Sequence, residues 1–161
     1  MTTRTRQAWL ALLLWYLPAL FVQVTSAWVT FDGLDPWYRE LVKAPWNPPD
    51  WLFGPVWTLL YAMMTIAVWQ VSLTQTAHAK RITAYRLYFF QLGLNGLWSQ
   101  VFFGMQQPGW SLLNLAALLV VAALTARTFA RIKPFAGWLL SPYLVWLAYA
   151  LSLNAAIWWW N

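Results

Sequence analysis

Four stretches of this chain carry no Asp, Glu, Lys, Arg or His: Gln7 to Phe31, Trp51 to Ala77, Leu87 to Ala126 and Pro134 to Asn161, with 25, 27, 40 and 28 residues. A helix that crosses a bilayer needs about 20 apolar residues, so the first, second and fourth stretches each hold one span. As a single helix the third would be about 60 Å long, roughly twice the hydrocarbon thickness. It must turn back, and Gly104-Met105-Gln106-Gln107-Pro108-Gly109 is its only segment with turn chemistry. The pattern predicts an all-α integral membrane protein, a single domain over residues 1–161. Its five transmembrane helices fall at about 8–29, 52–73, 84–103, 109–130 and 135–158.

Composition agrees. Apolar residues make up 61% of the chain and charged residues 9%, against about 25% charged in a soluble domain. The net charge of +6 reads as membrane orientation rather than nucleic-acid binding. With five spans, Arg4, Arg6, Lys80, Arg81, Arg86, Arg127, Arg131 and Lys133 share one side. The other side holds Arg39, Lys43 and all four acids, Asp32, Asp35, Glu40 and Asp50. By the positive-inside rule the N-terminus is cytoplasmic. The first apolar stretch is too long for the 7–15-residue core of a cleaved signal peptide, so it is expected to be retained.

The long loop between the first two spans reads as a lid. Asp35 and Pro36 have the residue types of an N-cap and a first helical position, predicting a helical turn over Asp35 to Leu41. Ala44-Pro45-Trp46-Asn47-Pro48-Pro49 predicts a stiff extended path. Trp28, Trp37, Trp46 and Trp51 in and around the loop predict packing over something beneath.

Several chemistries are missing. No lysine or acid lies inside a span, the only histidine is His78 in a loop, and there is no cysteine. Schiff-base, bis-histidine haem, ion-coupled carboxylate and triad mechanisms therefore lack their residues, and no metal site or obligatory cofactor is expected. What remains is aromatic and neutral polar. Of the 15 tryptophans, Trp9, Trp28, Trp138, Trp158, Trp159 and Trp160 lie near span ends, as interfacial belts do. Trp15, Trp57, Trp98 and Trp146 lie deeper. Helical spacing aligns Gln91, Asn95, Trp98 and Phe102 in the third span. It likewise aligns Tyr143, Trp146, Ala150 and Asn154 in the fifth, and Trp51, Pro55, Thr58 and Ala62 in the second. Such stripes serve interhelix packing or wall a cavity for a large, flat, apolar ligand with a few polar groups.

Trp46-Asn47-Pro48-Pro49-Asp50-Trp51 with Pro55-Val56-Trp57-Thr58-Leu59-Leu60-Tyr61 resembles the W-x-P-P-x-W…P-x-W-x-x-L-Y segment of the TspO/MBR family, the translocator proteins and bacterial tryptophan-rich sensory proteins. Gln91 to Trp98 with Phe102-Phe103-Gly104, and Pro142 to Ala148 with Leu153-Asn154, are similar to its Q-x-x-x-N-x-x-W…F-F-G and P-Y-x-x-W…L-N blocks. The resemblance implies a five-helix bundle, often a homodimer, whose pocket is covered by the first loop and binds protoporphyrin IX and similar ligands. Carried over by position, the ligand-binding residues are Trp51, Phe53, Gly54, Trp57, Gln91, Asn95, Trp98, Trp110, Tyr143, Trp146, Ala150 and Leu153. The expected function is a membrane-embedded binding and regulatory protein for tetrapyrroles, partnered by the lipid bilayer and not by nucleic acid. The alternatives are a transporter of such ligands, or a porphyrin-degrading enzyme with Trp51 and Trp146 as candidate catalytic residues. Ser99-Gln100 and Gly96 depart from the family pattern. The C-terminal sterol motif of animal relatives is absent, which counts against sterol import, and a bacterial cell membrane is the expected location.

Overall fold

The computed structural model describes residues 3–161, with side chains from Arg6 onward, so the side chain of Arg4 lies outside the described residues. Six helices account for the five expected spans: α1 (Thr3–Gly33), α2 (Phe53–Leu73), α3 (His78–Ser99), α4 (Pro108–Ile132), α5 (Pro134–Trp138) and α6 (Ser141–Trp160). Prolines mark their starts, where a missing N–H costs nothing: Pro108, Pro134 and Pro142 occupy the first or second positions of α4, α5 and α6. Around the bundle α1 packs on α2 and α3, α3 on α4, and α4 on α5 and α6. Four helical stretches are long and apolar enough to cross a membrane. The exception, α3, starts with Lys80, Arg81 and Arg86. Its apolar length runs from Leu87 through a π-helical turn over Gln100–Gly104, just enough for a span of about 17 residues.

The fifth span differs from expectation. It is broken between α5 and α6, because Pro142 has no amide to continue the ladder. The chain bends at Leu139-Leu140, where the Leu140 N–H donates to the Gly137 carbonyl at 3.1 Å and the Ser141 hydroxyl to the Trp138 carbonyl at 2.8 Å. The break presses α5 onto α4. A Cβ on Gly137 would stand 2.5 Å from the Ala130 Cβ and 2.8 Å from the Ala126 carbonyl oxygen. Only glycine allows that approach.

The predicted turn lies between Gly104 and Pro108. Gln106 takes a left-handed backbone (φ 54°), and the amides of Met105 and Gln107 donate to the carbonyls of Gln100 and Val101. In the first loop Asp35 has the extended backbone of a cap (φ −114°, ψ 133°), but its carboxylate accepts from the Arg39 Nε at 2.8 Å. The proline segment is not uniformly extended. Pro45 and Trp46 form a turn closed by the Asn47 N–H on the Ala44 carbonyl at 2.8 Å, with proline at its favoured second position.

The two halves of the bundle are built differently. At the basic end Met64, Ala67, Val68, Ala84, Tyr88, Ala122, Phe129 and Leu147 form a closed core, each no more than 1% exposed. At the loop end the helices diverge around a cavity.

Candidate ligand-binding site

The cavity has a volume of about 320 Å³, at the lower end of the ~300–1,000 Å³ range for ligand pockets. Its wall comes from the loop-side ends of four helices, because α1, α3 and α6 finish there and α2 begins there. Trp57 is its central side chain. The Trp57 ring lies 6.5 Å from Trp146 at 87°, 6.3 Å from Tyr143 and 5.8 Å from Tyr61. Phe53 meets Trp146 edge-on at 5.8 Å, and Trp98 stacks on Phe102 at 5.1 Å.

Neutral hydrogen bonds fix the floor. The Tyr61 hydroxyl donates to Asn95 Oδ1 at 2.6 Å, and Asn95 Nδ2 donates to the Tyr143 hydroxyl at 3.0 Å. On the α4 side, Asn154 Oδ1 accepts from Trp98 Nε1 at 3.0 Å and from the Ser111 hydroxyl at 2.9 Å, while its Nδ2 donates to the Pro108 carbonyl. Trp98 therefore offers a ligand its ring and not its N–H. Two other buried groups on the wall, Trp146 Nε1 and Ser26 Oγ, have no hydrogen-bond partner among the described residues. A buried donor without a partner costs roughly 1–3 kcal/mol, and neither atom is open to the cavity, so each would meet a polar group only if the wall rearranged.

The loop covers the aqueous end. Tyr38 and Asp50 line the cavity, with Tyr38 and Trp37 packed on Phe102 and Phe103. The loop is pinned to α6: Trp46 Nε1 donates to the Ser152 hydroxyl, the Tyr149 hydroxyl to the Trp46 carbonyl, and Asn161 pairs with both backbone groups of Val42. On the opposite flank the wall is open. Ala27 and Phe31 of α1, and Gly54 and Thr58 of α2, line the cavity and are also exposed outside. The gap ends at a single bridge, Gln23 Nε2 donating to the Thr58 hydroxyl at 3.0 Å. Exposed indoles at Trp28 and Trp51 stand beside it, at the level that tryptophan marks in membranes. The opening thus faces lipid.

Of the twelve residues named from sequence, Phe53, Gly54, Trp57, Asn95, Trp98, Trp146, Ala150 and Leu153 line this cavity. Tyr143 and Gln91 lie beneath it, 0% and 1% exposed; Tyr143 supports the floor, and Gln91 Nε2 rests on the Met64 sulfur at 3.5 Å. Trp51 and Trp110 stand off the wall, 72% and 68% exposed. In the second-span stripe only Thr58 reaches the cavity. The sequence reading missed all of α1 (Gln23, Ser26, Ala27, Thr30 and Phe31), together with Leu34, Tyr38, Asp50, Tyr61, Ser99, Phe103 and Ile157. Tyr61 was within reach, four residues beyond Trp57 on the same helical face. Trp15 packs on Tyr85 and Tyr88 away from the cavity.

The model of the TspO/MBR family matches residues 9–160. The chain is similar to the human translocator protein, 40% identical over 144 residues that cover 88% of this chain and 83% of the relative. It is 44% identical over 121 residues to the tryptophan-rich protein TspO of Chlorobaculum tepidum, covering 75% and 77%. With the tryptophan-rich sensory protein of Cereibacter sphaeroides it shares 35% over 143 residues, covering 87% and 88%.

Proposed function

Because the chain belongs to the TspO/MBR family, a family of multi-pass membrane proteins, we propose that its cavity binds tetrapyrroles of the protoporphyrin IX type and that the protein regulates their availability. The observation that carries this reading is the wall itself: Trp57, Trp146, Phe53 and Trp98 around a floor of neutral donors and acceptors. Flat π-systems gain from offset and edge-on contacts with such rings. The open flank supports a particular pose. One edge of the macrocycle stands in the gap between α1 and α2, in contact with lipid. His78 opens α3 at the far end of the bundle, so iron is not needed for binding.

A degrading activity is the second reading, favoured by the two oxidisable indoles of Trp57 and Trp146 on one wall. Titration of the reconstituted protein with protoporphyrin IX, in the dark and under light, separates the two. Saturable binding with the porphyrin spectrum conserved in light supports a binding protein. Light-dependent bleaching that needs the protein supports degradation. No saturable binding overturns both.

Assembly and orientation follow the same reading. Gly96 and Gly104 are filled by Val22 and Val29 of α1, whereas Gly93 faces open space between exposed Phe90 and Leu97. A second copy packing on that face of α3 makes the homodimer, and cross-linking in lipid that returns only monomer contradicts it. The basic end lies in the cytoplasm of a bacterial cell by the positive-inside rule.

A further inference from the structure

The polar atoms of the floor and back wall are largely spent on one another. The Tyr61 hydroxyl, the Asn95 amide and the Tyr143 hydroxyl form one chain, and Trp98 Nε1, Asn154 and the Ser111 hydroxyl form a second. At the open flank the Gln23 amide donates to the Thr58 hydroxyl, which itself donates to the Gly54 carbonyl at 2.9 Å. Between these groups the wall is apolar: Phe53, Trp57, Phe102, Trp146, Leu153 and Ile157. An ordered water needs roughly 2–4 polar partners, so the body of the cavity holds water poorly. The flank opens instead onto hydrocarbon. The gap is continuous with the outer faces of α1 and α2, where Leu17, Phe21, Val24 and Leu59 are exposed. From Phe31 to Gln23 it is about 12 Å tall at ~1.5 Å per residue, less than half of a ~30 Å hydrocarbon core. Trp28 and Trp51 set its upper edge at headgroup level, so a lipid anchored there has its chains alongside the gap. Apolar atoms that line a void forfeit dispersion contacts. A chain that enters restores them with no desolvation cost, because it passes from one apolar medium to another.

We infer that a bilayer phospholipid inserts one acyl chain through the α1–α2 gap and occupies this cavity whenever no tetrapyrrole is bound. The chain lies against Trp57, Trp146 and Leu153, while the headgroup stays outside at the level of Trp28 and Trp51. Membrane lipid is thus a second ligand class for the cavity, and a tetrapyrrole binds by displacing it. The displacement rests on the tetrapyrrole reading above; the lipid site does not.

The test is photo-cross-linking in phosphatidylcholine vesicles that contain a small share of phosphatidylcholine with a diazirine on one acyl chain, with adducts located by peptide mass spectrometry. Leu153 and Ile157 line the cavity and are only 6% and 3% exposed, so a lipid adduct on either forms from inside. Leu13 and Leu17, exposed on the outer face of α1, report ordinary contact with the bilayer. Wild type is expected to carry adducts at both sets. Gly54→Phe and Ala27→Phe narrow the gap from α2 and from α1. Each should cut the inner adducts at least fivefold and leave the outer ones within twofold, which also reports an embedded fold. Saturating protoporphyrin IX should cut the inner adducts of wild type to a similar degree, with the outer adducts as the reference for light that the porphyrin absorbs. Absence of inner adducts in wild type, or inner adducts undiminished in both variants, overturns the lipid site. Bound protoporphyrin that leaves the inner adducts unchanged overturns the shared cavity. Inner adducts that respond to both variants while protoporphyrin fails to bind support the lipid site and overturn the tetrapyrrole reading alone.

Discussion

Replacing Gly54 with phenylalanine is expected to cut protoporphyrin affinity at least tenfold without disturbing the fold. Gly54 lines the cavity at its open flank, and a Cβ built there meets nothing within 4 Å. Its backbone is ordinary helix with no positive φ, so any side chain can be accepted. A phenyl ring at this position occupies the gap between α1 and α2 through which the macrocycle edge must pass. Gly54→Ala is the control: it adds one methyl group and leaves affinity within twofold. Measured together, the pair separates loss of access from loss of structure. Equal affinity for Gly54→Phe and wild type would mean that the ligand reaches its site by another way, past the loop.

The second large effect is on stability. Gly137→Ala is expected to destabilise the protein by about 1–3 kcal/mol, the range for forcing extra volume into a tight contact. The added Cβ would lie 2.5 Å from the Ala130 Cβ and 2.8 Å from a backbone oxygen, and neither is the end of a flexible side chain that could swing aside. Either α5 lifts from α4 or the bend at Leu139-Leu140 reopens. Thermal unfolding in detergent should shift down by several degrees, while porphyrin affinity, set at the opposite end of the bundle, changes little. A midpoint equal to wild type would show that α5 is loosely held.

Much of this architecture was legible because membrane helices announce themselves through uncharged length. The turn at Gly104 to Gly109 was legible through its glycines and proline, and α3 and α6 placed Asn95, Trp98, Trp146 and Ala150 on their inner faces at the expected spacing. The failures have two causes. The second-span stripe was projected from Trp51 at α-helical spacing, but Asp50–Leu52 is a 3-10 turn with 3.0 residues per turn. Projection through it turns the face, so Trp51 points outward while Phe53 and Trp57 point in. The α1 contribution was illegible for another reason. This helix is apolar nearly all round, with Leu13, Leu17, Phe21 and Val24 exposed, and its inner polar residues Gln23, Ser26 and Thr30 are small features in an apolar run. Lipid tolerates apolar residues on every face, so hydrophobicity says little about which side of a membrane helix is buried. The split of the fifth span was not read from the sequence, which predicts one helix over about 135–158; the break before Pro142 and the close approach at Gly137 needed coordinates.

The central claim is that tetrapyrroles stack in the cavity walled by Trp57 and Trp146, and not on the outer tryptophans. Affinity for protoporphyrin IX in four single variants, Trp57→Phe, Trp146→Phe, Trp51→Phe and Trp110→Phe, tests it most directly. Aromatic contacts add about 0.5–1.5 kcal/mol beyond area burial, and 1.4 kcal/mol is tenfold. Phenylalanine keeps a smaller ring and so loses only part of this; Trp57→Phe and Trp146→Phe should each weaken binding at least about twofold, while Trp51→Phe and Trp110→Phe stay within twofold of wild type. Unchanged affinity in both wall variants, or a loss confined to Trp51→Phe or Trp110→Phe, would contradict the account.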